Sequence, residues 1–290
     1  MEQFKFKNSK LPYLLVLPQI VIVVVFVLYP TFDSIRKSFY TQSLFGERVN
    51  FVGLENYIRL LTSGDYLQTI YVTLLFSAGV TLIGLVLGLA LSLLVNQKIG
   101  GIAFYRSSFI WLYALSPAVA GTIWMFLMHP SYGIVNRLLP IDFNWLLSGR
   151  HALILVIIAA AWRMLGYNVA FFLAGLQGIP DSLLEASSLD GAGPIQRFTK
   201  VIFPLLSPTT FFLLTMNLVY SFYRTFGIIH TVTKGGPYGS TRIMVYNVYR
   251  DGFLNMRPGL SSAQSVLLFI VVIVLIMFQF RYIEGRVHYG

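Results

Sequence analysis

Glu185-Ala186-Ser187-Ser188-Leu189-Asp190-Gly191, followed after nine residues by Val201-Ile202-Phe203-Pro204, is the stretch whose reading decides the fold. It lies in a polar interruption, residues 177–204, between two runs apolar enough to cross hydrocarbon. Ser182 and Glu185 stand three apart, the spacing of a capping box: the serine oxygen accepts from a first-turn amide and the glutamate reaches back. Gly191 suits the left-handed residue that ends a helix. The spacing therefore predicts a helix of about eight residues, ~12 Å long. Pro194 restarts the chain, which leads through Pro204 into the next apolar run. A compact, acid-bearing helix held between two spans is offered to something in the water.

Outward from this knuckle the chain is hydrocarbon-like. Its 290 residues are only 11% charged, where a soluble domain carries about 25%, and the mean hydropathy is +0.72. Six segments meet the ~20-residue requirement of a spanning helix, at about 14–32, 70–95, 109–128, 152–176, 205–227 and 265–280. The expected architecture is all-α, a polytopic membrane protein of six transmembrane helices in a single domain, 1–290. Lys5, Lys7 and Lys10 before the first run resemble a signal peptide. The run is too long for one and no small-x-small site follows, so it is read as a retained span. Residues 51–61 form an amphipathic stretch suited to a surface helix, 97–108 a tight turn, and 129–151 a loop whose Trp145 suits a membrane interface. Residues 228–262 read as a long loop with the turn signal Gly235-Gly236-Pro237. In the second span Gly84, Gly88 and Ser92 recur every four residues, a small-residue stripe that lets another helix approach, within the chain or at a subunit seam.

The net charge is +10. A bundle of lipid-facing helices has no groove for nucleic acid, so the basic balance points to membrane lipid headgroups or an anionic solute. Six spans put both termini on one side with Lys5, Lys7, Lys10, Lys98, Arg106, Arg197, Lys200, Arg281 and Arg286, nine cations. The other side collects Arg36, Lys37, Arg48, Arg59, Arg137, Arg150, Lys234, Arg242, Arg250 and Arg257, ten. The short tail and the short 97–108 turn carry more weight than long loops and favour cytoplasmic termini and a cytoplasmic knuckle.

Several chemistries are excluded. With no cysteine there is no disulfide framework and no thiolate. No Gly-x4-Gly-Lys-Ser/Thr loop cradles ATP. His129, His151, His230 and His288 lack metal-ligand spacing, and no Gly-x-Ser-x-Gly elbow appears. These absences argue against membrane-embedded catalysis. The six apolar segments hold no Asp or Glu, which argues against a stand-alone carrier driven by an ion gradient.

A solute path shows as polar side chains at helical spacing inside spans. In the fifth segment Asn217, Tyr220 (or Ser221) and Arg224 share one face, and in the fourth Arg163, Tyr167 and Asn168 do likewise. Arginine within a span is costly and marks function by default. Arg224 is near the end of its span, where snorkelling is cheap. For a phosphate ester a bidentate arginine is the natural partner.

The knuckle resembles the loop that defines permease subunits of binding-protein-dependent ABC importers: Glu-Ala-Ala, three residues, Gly, nine residues, Ile-x-Leu-Pro. The spacing is intact; Ser187 replaces the second alanine, and the end reads Val201-Ile202-Phe203-Pro204. Trp162-Arg163, Gly166-Tyr167-Asn168, Ala174-Gly175-Leu176-Gln177, Ile179-Pro180, Asp190-Gly191-Ala192 and Thr233-Lys234-Gly235-Gly236-Pro237 are similar to the carbohydrate-uptake, maltose-permease-like group. Pro12 to Gln19, Gly191 to Ile195, Asn217-Leu218-Val219-Tyr220 and Gln279-Phe280-Arg281-Tyr282 are most similar to the A permeases of sn-glycerol-3-phosphate importers. The resemblance implies the type I importer permease fold, in the cytoplasmic (inner) membrane of a bacterium or archaeon. It makes residues 177–204 a coupling loop whose Glu185, Ala186, Ser187, Asp190 and Gly191 meet a cytoplasmic ATPase. It implies as partners a second permease, two ATPase subunits that bind ATP and Mg, and an extracytoplasmic solute-binding protein, with no cofactor on this chain. It places Tyr167, Asn217, Tyr220, Ser221 and Arg224 on the solute path. Arg163 belongs to a Trp-Arg pair shared with carriers of neutral sugars and fits support or gating better than solute contact. The implied solute is sn-glycerol 3-phosphate or a related glycerophosphodiester; the alternative is a neutral sugar or oligosaccharide.

Overall fold

A computed structural model describes residues 11–42, 49–97, 102–138 and 143–283. Lys5, Lys7, Lys10, Arg48, Lys98, Arg286 and His288 lie outside the described residues. The chain divides into two compact units, residues 1–62 with 248–267, and residues 63–247 with 268–290.

The first unit begins with α1 (Leu11–Val23), which runs through a wider turn at Val24–Leu28 into α2 (Tyr29–Lys37). The widening has a cause in sequence. Pro30 has no amide to offer the Phe26 carbonyl and its ring crowds that group, so the helix shifts to five-residue spacing, with Tyr29 N–H donating to Val24 O. Strands β1 (Tyr40–Gln42) and β2 (Val49–Phe51) pair antiparallel, Tyr40 opposite Phe51 and Gln42 opposite Val49. The expected surface helix forms as α3 (Glu55–Thr62) and buries Asn56 and Leu60. Asn56 Nδ2 donates to the carbonyls of Ser38 and Tyr40 at 2.8 and 3.0 Å and so ties α3 to the hairpin.

The second unit is a helical bundle around α4 (Gly64–Val95) and α8 (Gly149–Gln177), which pack along each other. The expected third span is two helices, α5 (Ile102–Ala114) and α6 (Pro117–Leu127). Pro117 forces the break: the residue before a proline avoids helical backbone, and Ser116 sits at φ −65°, ψ 151°, its hydroxyl capping the Val119 amide at 3.2 Å. After α7 (Ile134–Leu138) and α8 comes the knuckle: α9 (Asp181–Leu189), α10 (Pro194–Arg197), a wide turn at Phe198–Ile202, and α11 (Phe203–Leu205). Pro204 acts here as Pro30 does above, and Phe203 N–H reaches back five residues to Phe198 O. The chain then turns by 66° into α12 (Ser207–Tyr223).

Two loop expectations need correction. Residues 228–262 are largely helical, with the end of α13 (Phe226–Val232), then α14 (Met244–Tyr249), a wide turn at Arg250–Leu254, and the start of α15 (Pro258–Ile283). The apolar residues Ile228, Ile229, Val232 and Met244 pack in the interior, which a loop would have left to solvent. Trp145 is not an interfacial anchor: it is 4% exposed, and its indole donates to Met128 O at 2.8 Å.

Among the described residues, four helices are long and apolar enough to cross a membrane: Tyr13–Lys37, Gly64–Val95, Gly149–Gln177 and Pro258–Arg281. The count is five if the bent Pro194–Tyr223 pair is one span. The remaining expected segment, 109–128, is the broken α5–α6 pair.

The small-residue stripe of α4 packs within the chain. Asn168 of α8 and Asn217 of α12 exchange side-chain amide hydrogen bonds at 3.2 and 2.7 Å, both fully buried. A methyl on Gly84 would stand 2.9 Å from both amides, and one on Gly88 would stand 2.6 Å from Asn168 Cβ. We expect Gly88→Val to lower stability by about 1–3 kcal/mol through overpacking. Gly64→Ala, whose added methyl meets nothing within 4 Å, should change it little. Thermal unfolding of the two variants in detergent checks this.

Candidate functional site

The knuckle has a defined shape. Its helix begins two residues earlier than the capping box predicts: Pro180 is the N-cap, no side chain caps the helix, and Ser182 and Glu185 do not form the reciprocal pair. Proline at 180 fixes an extended turn-in, and Asp181 supplies the first-turn negative charge that a helix start favours. The other end forms as expected. Gly191 sits at φ +77°, Gly191 N–H donates to Ser188 O at 3.1 Å and Ala192 N–H to Ser187 O at 3.0 Å, a Schellman closure. Arg197 of α10 reaches back to Ser188 Oγ at 3.1 Å and braces α9. Small residues keep the helix slim: Ser187 is buried, while Glu185, Ala186 and Asp190 are exposed. Glu185, Ser188, Leu189 and Arg197 border an open hollow. Leu189 is 89% exposed and Ile195 81%, two apolar side chains on a polar knuckle with nothing of this chain over them.

The second cluster lies where α5, α8 and α12 meet. Tyr113, Arg163, Met164, Tyr167, Met216, Val219, Tyr220 and Arg224 line a cavity of about 50 Å³, room for only a few waters. Four of the six expected path residues therefore share one cavity: Arg163, Tyr167, Tyr220 and Arg224. Asn217 and Ser221 do not line it. They are fully buried against neighbouring helices, Asn217 in the amide pair and Ser221 against Ser77 of α4 at 2.5 Å.

Arg163 is held without a carboxylate. Its Nε donates to Leu115 O at 2.7 Å, a carbonyl whose helical partner, the Val119 amide, has been taken by Ser116. Its guanidinium lies 5.6 Å from the Tyr113 ring centroid and 5.5 Å from that of Tyr220, distances at which a cation is attracted to the ring face. Tyr220 in turn donates to Ala160 O at 3.3 Å. Arg224, at the end of α12, is exposed. Among the described residues neither Arg163 nor Arg224 makes an ion pair, so neither cavity arginine is neutralised by an acid. The cavity is thus a positively charged, aromatic-walled niche able to accept hydrogen bonds from, and donate them to, an anionic or hydroxylated group.

Sequence reading passed over Tyr113 and the Leu115 carbonyl because it sought the path in two helices only. The Ser116-Pro117 break was the available signal, since a helix broken inside a span leaves a carbonyl that must find a donor. Gly166 was likewise quoted only as part of a motif. A side chain there would collide with the Phe109 carbonyl, and its absence lets α5 press on α8. From the cavity an aromatic run continues, Tyr113 to Tyr167 at 5.2 Å, Tyr167 to Phe171 at 4.6 Å and Phe171 to Phe212 at 5.1 Å.

Arg163→Gln should lower stability by about 1.5–3 kcal/mol, the range for a hydrogen bond to a charged group, because the Leu115 carbonyl loses its donor. Arg224→Gln, which removes no bond seen here, should be close to neutral; thermal denaturation of the two variants side by side checks the contrast.

Residues 11–289 match the family described as "Binding-protein-dependent transport system inner membrane component". The chain is 47% identical, over all of both chains, to the sn-glycerol-3-phosphate transport system permease protein UgpA of Rhizobium meliloti (strain 1021). It is 42% identical to the protein of that name from Escherichia coli O6:K15:H31 (strain 536 / UPEC), covering 98% of this chain and 97% of the other. Among solved structures, a bacterial ABC transporter involved in the import of the acidic polysaccharide alginate superposes with a TM-score of 0.81 at 21% identity, covering 95% of each chain. A chain of the MetNI methionine ABC transporter in an inward-facing conformation superposes with a TM-score of 0.55 at 20% identity, over 81% of this chain and 99% of that one.

Proposed function

This chain belongs to the inner membrane components of binding-protein-dependent transport systems, and from that premise we propose that it forms half of the transmembrane path for sn-glycerol 3-phosphate or a related glycerophosphodiester. It is an ABC importer permease, a transport subunit and not an enzyme. In the assembly we infer, a second permease completes the path, two ATPase subunits bind ATP and Mg, and a solute-binding protein delivers the solute from outside. Both termini and the knuckle are then cytoplasmic, as the short-loop charges favour.

The observation that carries the solute reading is the pair of arginines, Arg163 and Arg224, on one cavity with no carboxylate to neutralise either. A neutral sugar needs no such charge, whereas a phosphate ester matches the fork of a guanidinium. Identity of 47% to permeases named for sn-glycerol 3-phosphate supports the same reading. In this role Arg224 meets the solute, Tyr167 and Tyr220 wall the path, and Arg163 holds the α5–α6 break open as a support or gate. Asn217 and Ser221 set the position of α12. A neutral sugar or oligosaccharide is the second reading, favoured by the aromatic run Tyr113–Tyr167–Phe171–Phe212, against whose faces sugar C–H surfaces stack.

Coupling follows from the knuckle. Closure of an ATPase pair on ATP biases the spans only if the ATPases grip the knuckle differently in the two states; swinging an equilibrium from 1:99 to 99:1 takes about 5.5 kcal/mol. Exposed Leu189 and Ile195 supply apolar area for that grip, and Glu185 and Asp190 supply acceptors for ATPase arginines.

Uptake of labelled sn-glycerol 3-phosphate by cells carrying the assembled importer tests the solute role. Arg224→Gln is expected to raise the half-saturation concentration about tenfold or more at unchanged expression; undiminished uptake at low solute would remove Arg224 from the path. For coupling, Gly191→Val forces a β-branched residue into left-handed backbone at a cost of about 1–2 kcal/mol. It should depress uptake and solute-stimulated ATP hydrolysis together. Gly193→Ala, whose methyl meets nothing within 4 Å, should leave both intact.

A further inference from the structure

Arg59 and Arg257 face one cavity of about 150 Å³ in the first unit, lined also by Thr41, Gln42, Asn56, Gly259 and Leu260, none of them a path residue. Three elements converge there: the end of β1, the middle of α3 and the start of α15. Their convergence is enforced by backbone contact. Gly259 is buried, a side chain on it would collide with the Tyr40 carbonyl, and Asn56 holds that same carbonyl from α3. The cavity is therefore a built feature of this unit.

Asn56 is spent on the Ser38 and Tyr40 carbonyls, but the two arginines are not paired with an acid. Among the described residues, Arg59 and Arg257 make no ion pair, although Glu55 stands one turn before Arg59 on α3. Among the described residues, the side chains of Thr41 and Gln42 make no hydrogen bond. An adjoining cavity of about 240 Å³ shares Gln42 and Gly259 and is lined by Arg36 and Lys37, but those two cations are spent on Asp33 at 3.0 and 2.6 Å. Two like charges brought to one concave site repel, and the start of the 26-residue helix α15 adds positive potential of the same sign. The balance of charge at this site favours an anion.

We infer that the Arg59–Arg257 cavity is a binding site for the phosphate group of a phosphate ester. Two guanidinium forks, a hydroxyl and an amide line a space of about 150 Å³, room enough for a tetrahedral oxyanion, and such donors match its oxygens. The same chemistry is carried by a free phosphate compound and by an anionic lipid headgroup. The site's position favours access to both, since it lies just past the end of one spanning helix, Tyr13–Lys37, and at the start of another, Pro258–Arg281. The inference does not rest on the identity of the transported solute.

The test uses the full chain in a neutral detergent, titrated in separate arms with inorganic phosphate and with dioctanoyl-phosphatidylglycerol, binding being followed by thermal stabilisation. Saturable binding is expected in at least one arm, weakened about tenfold or more in Arg59→Gln/Arg257→Gln. Response to the lipid alone makes it a headgroup site, and response to inorganic phosphate makes it a site for free phosphate compounds. Arg224→Gln runs alongside to separate this site from the transport path. Should the double variant not fold, the single variants Arg59→Gln and Arg257→Gln carry the same comparison, each expected to weaken binding several-fold. Absence of binding in both arms overturns the inference, as does binding that survives loss of Arg59 and Arg257 or that vanishes only in Arg224→Gln. In those cases the two arginines belong to a protein contact.

Discussion

The buried amide pair between Asn168 and Asn217 is the constraint on which the second unit depends. An amide in hydrocarbon has no water to fall back on, so each of these side chains must find its complement, and each finds it in the other. Asn217 Nδ2 also donates to Leu213 O at 2.8 Å. Interhelical hydrogen bonds in membranes contribute only about 0.6 kcal/mol on average, whereas leaving a buried amide unpaired costs roughly 1–3 kcal/mol on protein mutational scales. The pair therefore acts more as a register lock than as a source of stability. Sliding α8 along α12 by one residue would strand two amides at once. Glycine at 84 and 88 is the third party: only without a Cβ does α4 leave room for the pair.

That lock ties the two places where function concentrates. Tyr167 stands next to Asn168, and Arg163 more than one turn before it. Tyr220 and Arg224 follow Asn217 by one and two turns. Fixing Asn168 against Asn217 fixes which face of each helix meets the cavity. The same two helices flank the knuckle, α8 ending at Gln177 and α12 beginning at Ser207. Under the proposed coupling role, a push on α9 would reach a pair of helices already joined to each other by the amide lock. The prolines decide where flexibility is allowed. Pro204 and Pro117 interrupt the helices beside the lock and not within it, and Arg163 spans the Pro117 break by holding Leu115 O.

Patterns of local origin were legible in the sequence. Gly191 announced a left-handed helix end because few other residues tolerate that backbone, and the long apolar runs announced α1–α2, α4, α8 and α15 by length alone. The start of α9 was misplaced because Ser182 and Glu185 satisfy a capping pattern that Pro180 pre-empts two residues earlier. The helical content of residues 228–262 was missed because Gly235-Gly236-Pro237 is so strong a turn signal that it masked the apolar residues on either side. The face assignment of α12 was only half recoverable. Asn217, Tyr220 and Arg224 share a stripe in projection, but which part of a stripe meets a cavity and which meets a neighbouring helix depends on α4, whose glycines are silent about their partner. Tyr113 was invisible for a different reason: its role comes from a broken helix that continuous hydropathy conceals.

The way Arg163 is held bears on what can pass beside it. A carboxylate would have been the cheaper partner for a guanidinium inside a span, since an unpaired charge there is penalised by several kcal/mol. Instead the charge rests on two ring faces and one carbonyl, none of which carries net negative charge. Such support makes the burial tolerable without cancelling the field. An anion entering the niche then meets an arginine whose charge is undiminished and need not displace a resident acid, which would have to be desolvated and left unpaired on each passage. The cavity of about 50 Å³ is far smaller than a glycerophosphate, so under the proposed role the niche is one wall of the path. A wall that is positive and aromatic, facing a second wall, would hold an anion loosely enough to release it. A closed cage with two buried ion pairs would not.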